Sequence, residues 1–210
     1  MYLDAELETN LKDKLLLCAI NEFAEKGFDG ARIDNIVIAA GCSKQTVYHH
    51  YGNKENLFIA VIEYSWEHIR SKEQMIEMVK GEPVENLERI IDFTWDYYIK
   101  YPWYLKIVNS ENQSKGIHLK KSKLIGDINS GHISLMERII KEGQDMKLFR
   151  EDIDPVQVNI SIAALGFFYL INQHTLSHIY QMQMTTKESL ARRHSIIKDT
   201  ILRWVCINIE

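Results

Sequence analysis

A chain of 210 residues has room for one large or two small domains, and 46% hydrophobic residues are ample for a real core. Three prolines, ten glycines and no sustained period-two alternation leave nothing that demands a sheet, so the expected fold class is all-α. The net charge of −4 leaves no global excess of cations, so any hold on a polyanion would rest on local Lys and Arg and would be modest without a specific site.

The first twelve residues, MYLDAELETNLK, place acids before any cation and lack an apolar core, so they do not read as a signal peptide. Residues 1 to 8 are expected to be the frayed, acidic start of a helix that runs to about Lys26. Leu15, Ala19 and Phe23 form its buried stripe, with Leu11, Leu16 and Ile20 beside it. A second, short helix follows, in which Ile33, Ile36, Val37 and Ala40 share one face and Gly41 can close the end in a left-handed conformation. Ser43 is a good N-cap for a third helix over Lys44 to Tyr51, Gly52 stops it, and Asn53 caps a fourth. Two short helices across a tight, glycine-containing turn make a helix-turn-helix, in which one helix can enter a major groove while the other braces it.

The faces of the third helix give this shape a chemistry. Val47 and Tyr51 can pack inward, which leaves Lys44, Gln45, Thr46, Tyr48 and His49 pointing outward. That set offers a cation, an amide suited to adenine, a hydroxyl with a methyl suited to thymine, a phenol and an imidazole, with no carboxylate between Lys44 and Lys54. The competing reading is an ordinary solvated face. It loses because the brace helix, the turn glycine and both caps occur together.

The segment Leu15 to Phe58 resembles the DNA-binding domain of the tetracycline-repressor (TetR) family. LLLCAINEFAEKGF, Leu15 to Phe28, is similar to that family's first helix, and AGCSKQTVYHHYGNKENLF, Ala40 to Phe58, to its turn, recognition helix and the start of helix four. The resemblance implies that Thr46 and Tyr48 contact bases and phosphates, that His50 faces a phosphate and that Lys54 binds the backbone. One departure stands at the second helix, where this chain has Arg32 and then Asp34. Arg32 could take a phosphate contact, whereas Asp34 would repel one and is left out of the site. The DNA-binding set is therefore Arg32, Lys44, Gln45, Thr46, Tyr48, His49, His50 and Lys54.

The fourth helix begins at Lys54 and is expected to reach about Lys80, roughly 40 Å at 1.5 Å per residue. Its first turn can aim free N–H groups and Lys54 at a phosphate, while Ile62, Trp66, Ile69 and Met78 reach into the body behind. Gly81-Glu82-Pro83 breaks the pattern, and Pro83 starts a helix to about Lys100. Beyond Tyr101-Pro102 come a short helix, a polar irregular piece around Ser114 to Gly116, and a longer helix to about Glu142 with Gly143 as its stop. Asp154-Pro155-Val156-Gln157 is a strong N-terminal cap that launches a long apolar helix to about Gln181. Thr185-Thr186-Lys187-Glu188 offers a capping box for a last helix through about Cys206.

The last two helices carry more apolar surface than a solvated face allows. Ile160, Ala164, Phe167, Ile171 and Ile179 occupy much of one, and Leu190, Ile197, Ile201 and Val205 stripe the other. A second copy of the chain would cover them, and the family resembled implies a four-helix dimer interface and a roughly palindromic operator. The alternative is that they finish the monomer core. Residues 1–56 are thus expected to be the DNA-binding domain and 57–210 the ligand-binding and dimerisation domain.

Beyond Phe58 the chain resembles the TetR branch of pyrimidine-utilisation regulators, at Glu111-Asn112, Gly116, Leu119 and Ser122, at Phe149 to Pro155 and at Ala164 to Ser177. That resemblance implies a small-molecule effector without fixing which. From the residues alone, Trp66, Trp95, Tyr98 and Phe168 can wall a pocket, and Asn109, Asn112, Tyr169, Asn172 and Gln173 are polar groups in apolar helical sequence. Each could equally be core or bond a neighbouring carbonyl. His174 and His178 have the spacing of helical metal ligands but lack a Cys or acidic partner, so no metal or other cofactor is expected.

Cys18, Cys42 and Cys206 are odd in number and form no Cys-x-x-Cys pair, which points to reduced thiols, and no stretch is long and apolar enough for a bilayer; the expected location is the cytoplasm. No GxSxG, P-loop, dinucleotide or zinc motif supports an enzyme. The sequence reads as a repressor released from its operator by an effector. The alternatives are a ligand-independent DNA-binding protein and an activator of the same fold.

Overall fold

The computed structural model describes residues 10–207, so the expected frayed start over residues 1–8 lies outside it. Among the described residues the regular elements are helical, apart from one antiparallel bridge between Phe149 and Cys206. In chain order the helices are α1 (Leu11–Gly30), α2 (Ile33–Ala40), α3 (Lys44–Tyr51), α4 (Lys54–Glu73), α5 (Pro83–Lys100), α6 (Pro102–Gln113), α7 (Ile125–Asp145), α8 (Pro155–Ile171), α9 (Gln173–Ile179) and α10 (Lys187–Val205), with a 3-10 turn at Leu119–Lys121. Two compact units result. One takes the residues up to Ile69 with Tyr101–Ile128, and the other takes Arg70–Lys100 with the residues from Asn129.

In the first unit α1 begins where the Asn10 side chain accepts from the Asp13 N–H, satisfying one orphan donor. Leu15, Ala19 and Phe23 are fully buried as the spacing predicts, with Leu17 and Ile20 beside them; Leu11 is exposed instead. The helix kinks at Gly27, whose φ of +66° is the left-handed region a side chain disfavours. Past the kink, Phe28 comes back to Phe23 and Phe58, with ring centroids 6.3 and 5.2 Å away. His118, on the segment after α6, closes this cluster 4.2 Å from Phe28. The Glu111 carboxylate holds His118 there, accepting from the N–H groups of His118 and Leu119 and lying 2.7 Å from His118 Nδ1.

α4 ends at Glu73 rather than near Lys80. The N–H groups of Gln74, Met75 and Ile76 take the carbonyls of Arg70, Lys72 and Glu73, and this tightening uses up the helix end. Asn86 then brackets Val79, accepting from its N–H and donating to its carbonyl at 2.8 Å each. A polar side chain of α5 therefore holds the connection that follows the helix.

The second unit packs α5, α8 and α10 together. Gly143 does not stop a helix, because α7 runs on to Asp145. A Cβ there would stand 2.1 Å from the Phe149 ring, so the glycine permits a close approach. The apolar helix expected to reach Gln181 breaks at Asn172, whose amide donates to the Phe168 carbonyl, and α9 leaves at a 70° bend. No single helix among the described residues is long and apolar enough to cross a membrane. Thr186, not Thr185, caps α10, accepting from the Ser189 N–H. Of the expected α10 stripe, Ile197, Ile201 and Val205 are buried within the chain, so they belong to its own core.

At the heart of this unit Glu73 lies 2.7 Å from both Arg70 Nη1 and His132 Nδ1, and His132 Nε2 lies 2.8 Å from Asn159 Oδ1. Burial pushes the Glu73 carboxyl up, but the His132 hydrogen bond and the Arg70 charge outweigh it and leave the pKa below its ordinary value.

Candidate nucleic-acid interface

α3 is a short helix built to present one face. Ser43 caps it by accepting from the Thr46 N–H, Val47 is fully buried, and Tyr51 is half-buried behind it. The Tyr51 hydroxyl is buried with no hydrogen-bond partner among the described residues, and burial followed by the Asp13 charge pushes the phenol pKa up. On the other side α2 buries Ile36, Val37 and Ala40, and Gly41 closes it at φ +69°. The helix-turn-helix of the sequence reading is therefore present with the expected caps and faces.

Lys44, Gln45, Tyr48, His49 and His50 are exposed, and Thr46 is half-buried at their edge. Ser43, Gln45, Thr46, Tyr48 and His49 line a shallow concavity of about 560 Å³. Thr46 Oγ1 lies 3.0 Å from Ser43 Oγ, within hydrogen-bond distance. The His49 and His50 rings meet edge-on at 5.3 Å.

The cations are less free than the sequence suggested. Lys44 Nζ stands 2.6 Å from Asp34 Oδ1, and that hydrogen bond, with the Asp34 charge, raises the lysine pKa. Lys54 Nζ reaches the Asp29 carbonyl at 3.4 Å and lies 4.9 Å over the Phe28 ring, so it is parked against the end of α1. The neighbouring Glu55 is paired with Lys121, whose hydrogen bond lowers the carboxyl pKa, so that acid is partly neutralised beside Lys54. Arg32 is exposed at the start of α2, its N–H donating to Glu22 Oε1 at 3.0 Å; the Asn35 amide donates to the same oxygen. Asp34, set aside in the sequence reading because it would repel a phosphate, instead pairs with Lys44 across the turn. Glu22 and Lys121 carry no spacing signal in the sequence, since each acts from another element.

The nine candidate effector residues divide between the units. Trp66, Asn109 and Asn112 lie in the first, where Trp66 meets Tyr104 edge-on at 5.8 Å and the Asn112 amide donates to Val108 of its own helix. Asn109 is half-buried. In the second unit Trp95 is buried, stacked on His194 at 5.9 Å and 6.2 Å from Tyr169, and Tyr98 packs on Gly166. The Tyr169 hydroxyl donates to the Met184 carbonyl, while Asn172 and Gln173 donate to the carbonyls of Phe168 and Leu170. Phe168 is 59% exposed. Trp95, Tyr98 and Tyr169 thus come closest to a shared wall. His174 and His178 are both exposed, and no three His, Cys, Asp or Glu side chains cluster for a metal among the described residues.

Residues 15–61 match the family model of bacterial regulatory proteins of the tetR family, and residues 83–201 match that of the tetracyclin repressor-like C-terminal domain. The chain is 31% identical to the HTH-type transcriptional repressor NicS of Pseudomonas putida, over 95% of its own length and 94% of the relative's. It is 34% identical to the HTH-type transcriptional repressor SCO4008 of Streptomyces coelicolor over about half of each chain, 50% and 51%. In fold it resembles a tetR-family regulatory protein from Rhodococcus RHA1, with a TM-score of 0.71, 18% identity and coverage of 95% of this chain and 100% of that one.

Proposed function

The chain belongs to the tetR family of bacterial regulatory proteins, and from that premise we propose that it is a transcriptional repressor acting in the cytoplasm as a homodimer on a palindromic operator. The observation that carries this reading is the outward face of α3. Five polar side chains without a carboxylate of that helix surround a concavity, over a fully buried Val47 that fixes the helix to its brace. Residues 1–56 read DNA, and 57–210 dimerise and bind an effector. Gln45 and Thr46 meet base edges and Lys44 can reach one, while Arg32, Tyr48, His50 and Lys54 meet the backbone, with His49 at the groove edge.

Release follows from population shift. An effector that binds better to a conformation with α4 displaced moves the two recognition helices out of register with successive grooves. The effector must discriminate between the two states, and its coupling to DNA is then reciprocal. The test is selection of duplexes from a random pool by the purified protein, followed by footprinting of the enriched sequence. Two half-sites about one helical turn apart, 34–36 Å, are expected. Enrichment of no sequence, or of a single unrepeated half-site, would remove the palindromic dimer from the reading.

A further inference from the structure

The pair between Asp34 and Lys44 places a carboxylate on the face that would meet a polyanion. The two residues stand in the first turns of α2 and α3, with charged atoms 2.6 Å apart and side chains 60% and 51% exposed respectively. A pair this exposed is weakly held and opens easily, so it is a poor structural staple. α2 does not depend on it either, because Glu22 already gathers the Arg32 N–H and the Asn35 amide at that end.

Random-sequence binding is built from cations that displace counterions at phosphates. A lysine already matched by a carboxylate brings almost no net charge to that process, and the carboxylate lies well within a Debye length, about 8–10 Å, of any phosphate the lysine could reach. Base-edge recognition works differently. An ammonium bonds guanine O6 and N7 through directed hydrogen bonds, which replace the carboxylate's own at short range. Asp34 therefore subtracts mainly from binding that is purely ionic.

We infer that Asp34 is a specificity-determining residue: by pairing Lys44 off the DNA it holds down affinity for random sequence, and it yields the lysine where base edges supply acceptors. The inference rests on the DNA-binding reading above and adds to it a residue that reads no base itself. Asp34 restrains a cation that can.

The test compares the full-length parent with Asp34→Asn, Lys44→Ala and the double variant, on the selected operator and on a scrambled duplex of the same length, between about 50 and 200 mM salt. Asp34→Asn should tighten scrambled binding by roughly three- to tenfold and steepen its salt slope by about 0.9 per subunit. Operator binding should tighten less, so the ratio of the two affinities falls. In the Lys44→Ala background the same change should leave that ratio unmoved, because no restrained lysine remains. Equal tightening on both duplexes in the parent background, or no tightening on the scrambled one, overturns the inference while leaving the helix-turn-helix reading intact. That reading fails by a separate result, a parent that shows no operator preference for Thr46→Ala to abolish, and the inference falls with it. Circular dichroism should show every variant folded, since both positions are more than half exposed.

Discussion

Thr46 and Lys54 are held differently before any DNA arrives, and that difference makes their substitutions informative. Thr46 has its hydroxyl 3.0 Å from Ser43 Oγ, but Ser43 caps α3 through the Thr46 backbone N–H, so Thr46→Ala removes a side chain without removing the cap. It should weaken operator binding by about 1–3 kcal/mol per base step read, leaving scrambled DNA and the salt slope nearly unchanged. Lys54 rests on Asp29 and Phe28 at the first turn of α4, where the contact proposed for it is a phosphate rather than a base. Lys54→Ala should weaken all duplexes alike and flatten the salt slope by about 0.9 per subunit. Anisotropy titrations of both variants at several salt concentrations read both quantities. Equal loss on operator and scrambled DNA for Thr46→Ala would move Thr46 to the backbone contacts and leave base reading to Lys44, Gln45 or Tyr48.

Elements whose ends are fixed locally were legible in the sequence, and those fixed by distant side chains were not. Asp154 with Pro155 starts α8 as its sequence says, and Ser43 and Gly41 bound the turn of the helix-turn-helix, because capping needs only neighbours. The path of the chain after α4 involves Asn86, and the role of Gly143 needs Phe149; neither partner is visible in a helical period. Gly143→Ala should accordingly destabilise the protein by about 1–3 kcal/mol in urea unfolding, although alanine favours a helix, because the ring must move from a buried position. A neutral or stabilising result would show that the Phe149 segment yields freely. The Glu73 cluster was equally hidden, since Arg70, His132 and Asn159 come from three helices. The folded carboxyl titrates below its ordinary value of 4.5, so its contribution is complete above that pH and is lost as pH falls through the lower folded value. Glu73→Gln should cost about 3 kcal/mol at neutral pH, leaving the Arg70 charge without its anion and His132 without its carboxylate partner, and should flatten the stability profile below about pH 4.5. A parent and variant with parallel profiles across that window would separate Glu73 from acid sensitivity.

At the scale of the whole molecule the apolar excess read from the last helices is real on one of them and spent on the other. α10 turns Ile197, Ile201 and Val205 inward, and of its large apolar residues leaves Ile196 notably exposed. α8 instead shows Val156, Ile160 and Phe168 more than half exposed, with the small, exposed Ala164 between them at the same four-residue spacing. Beyond the bend, Ile179 and Tyr180 are about two-thirds exposed as well. A continuous apolar row of this kind marks an interaction surface, and a two-fold axis lets such a row cover itself. The protein should therefore sediment at micromolar concentration as one species near twice 24.6 kDa. Ile160→Asp places a charge in the middle of the row while touching no buried position, so it should yield a folded species of single mass. Because α3 is unaltered, each monomer keeps its half-site contacts, and the loss appears only in the second, linked binding event. Operator affinity should fall by about 100-fold or more, the scale of the advantage that linkage confers, while affinity for an isolated half-site stays at the parent's value. A dimer that survives Ile160→Asp, or a monomer that binds the full operator as tightly as the parent, would mean that this row covers something other than a second copy of the chain.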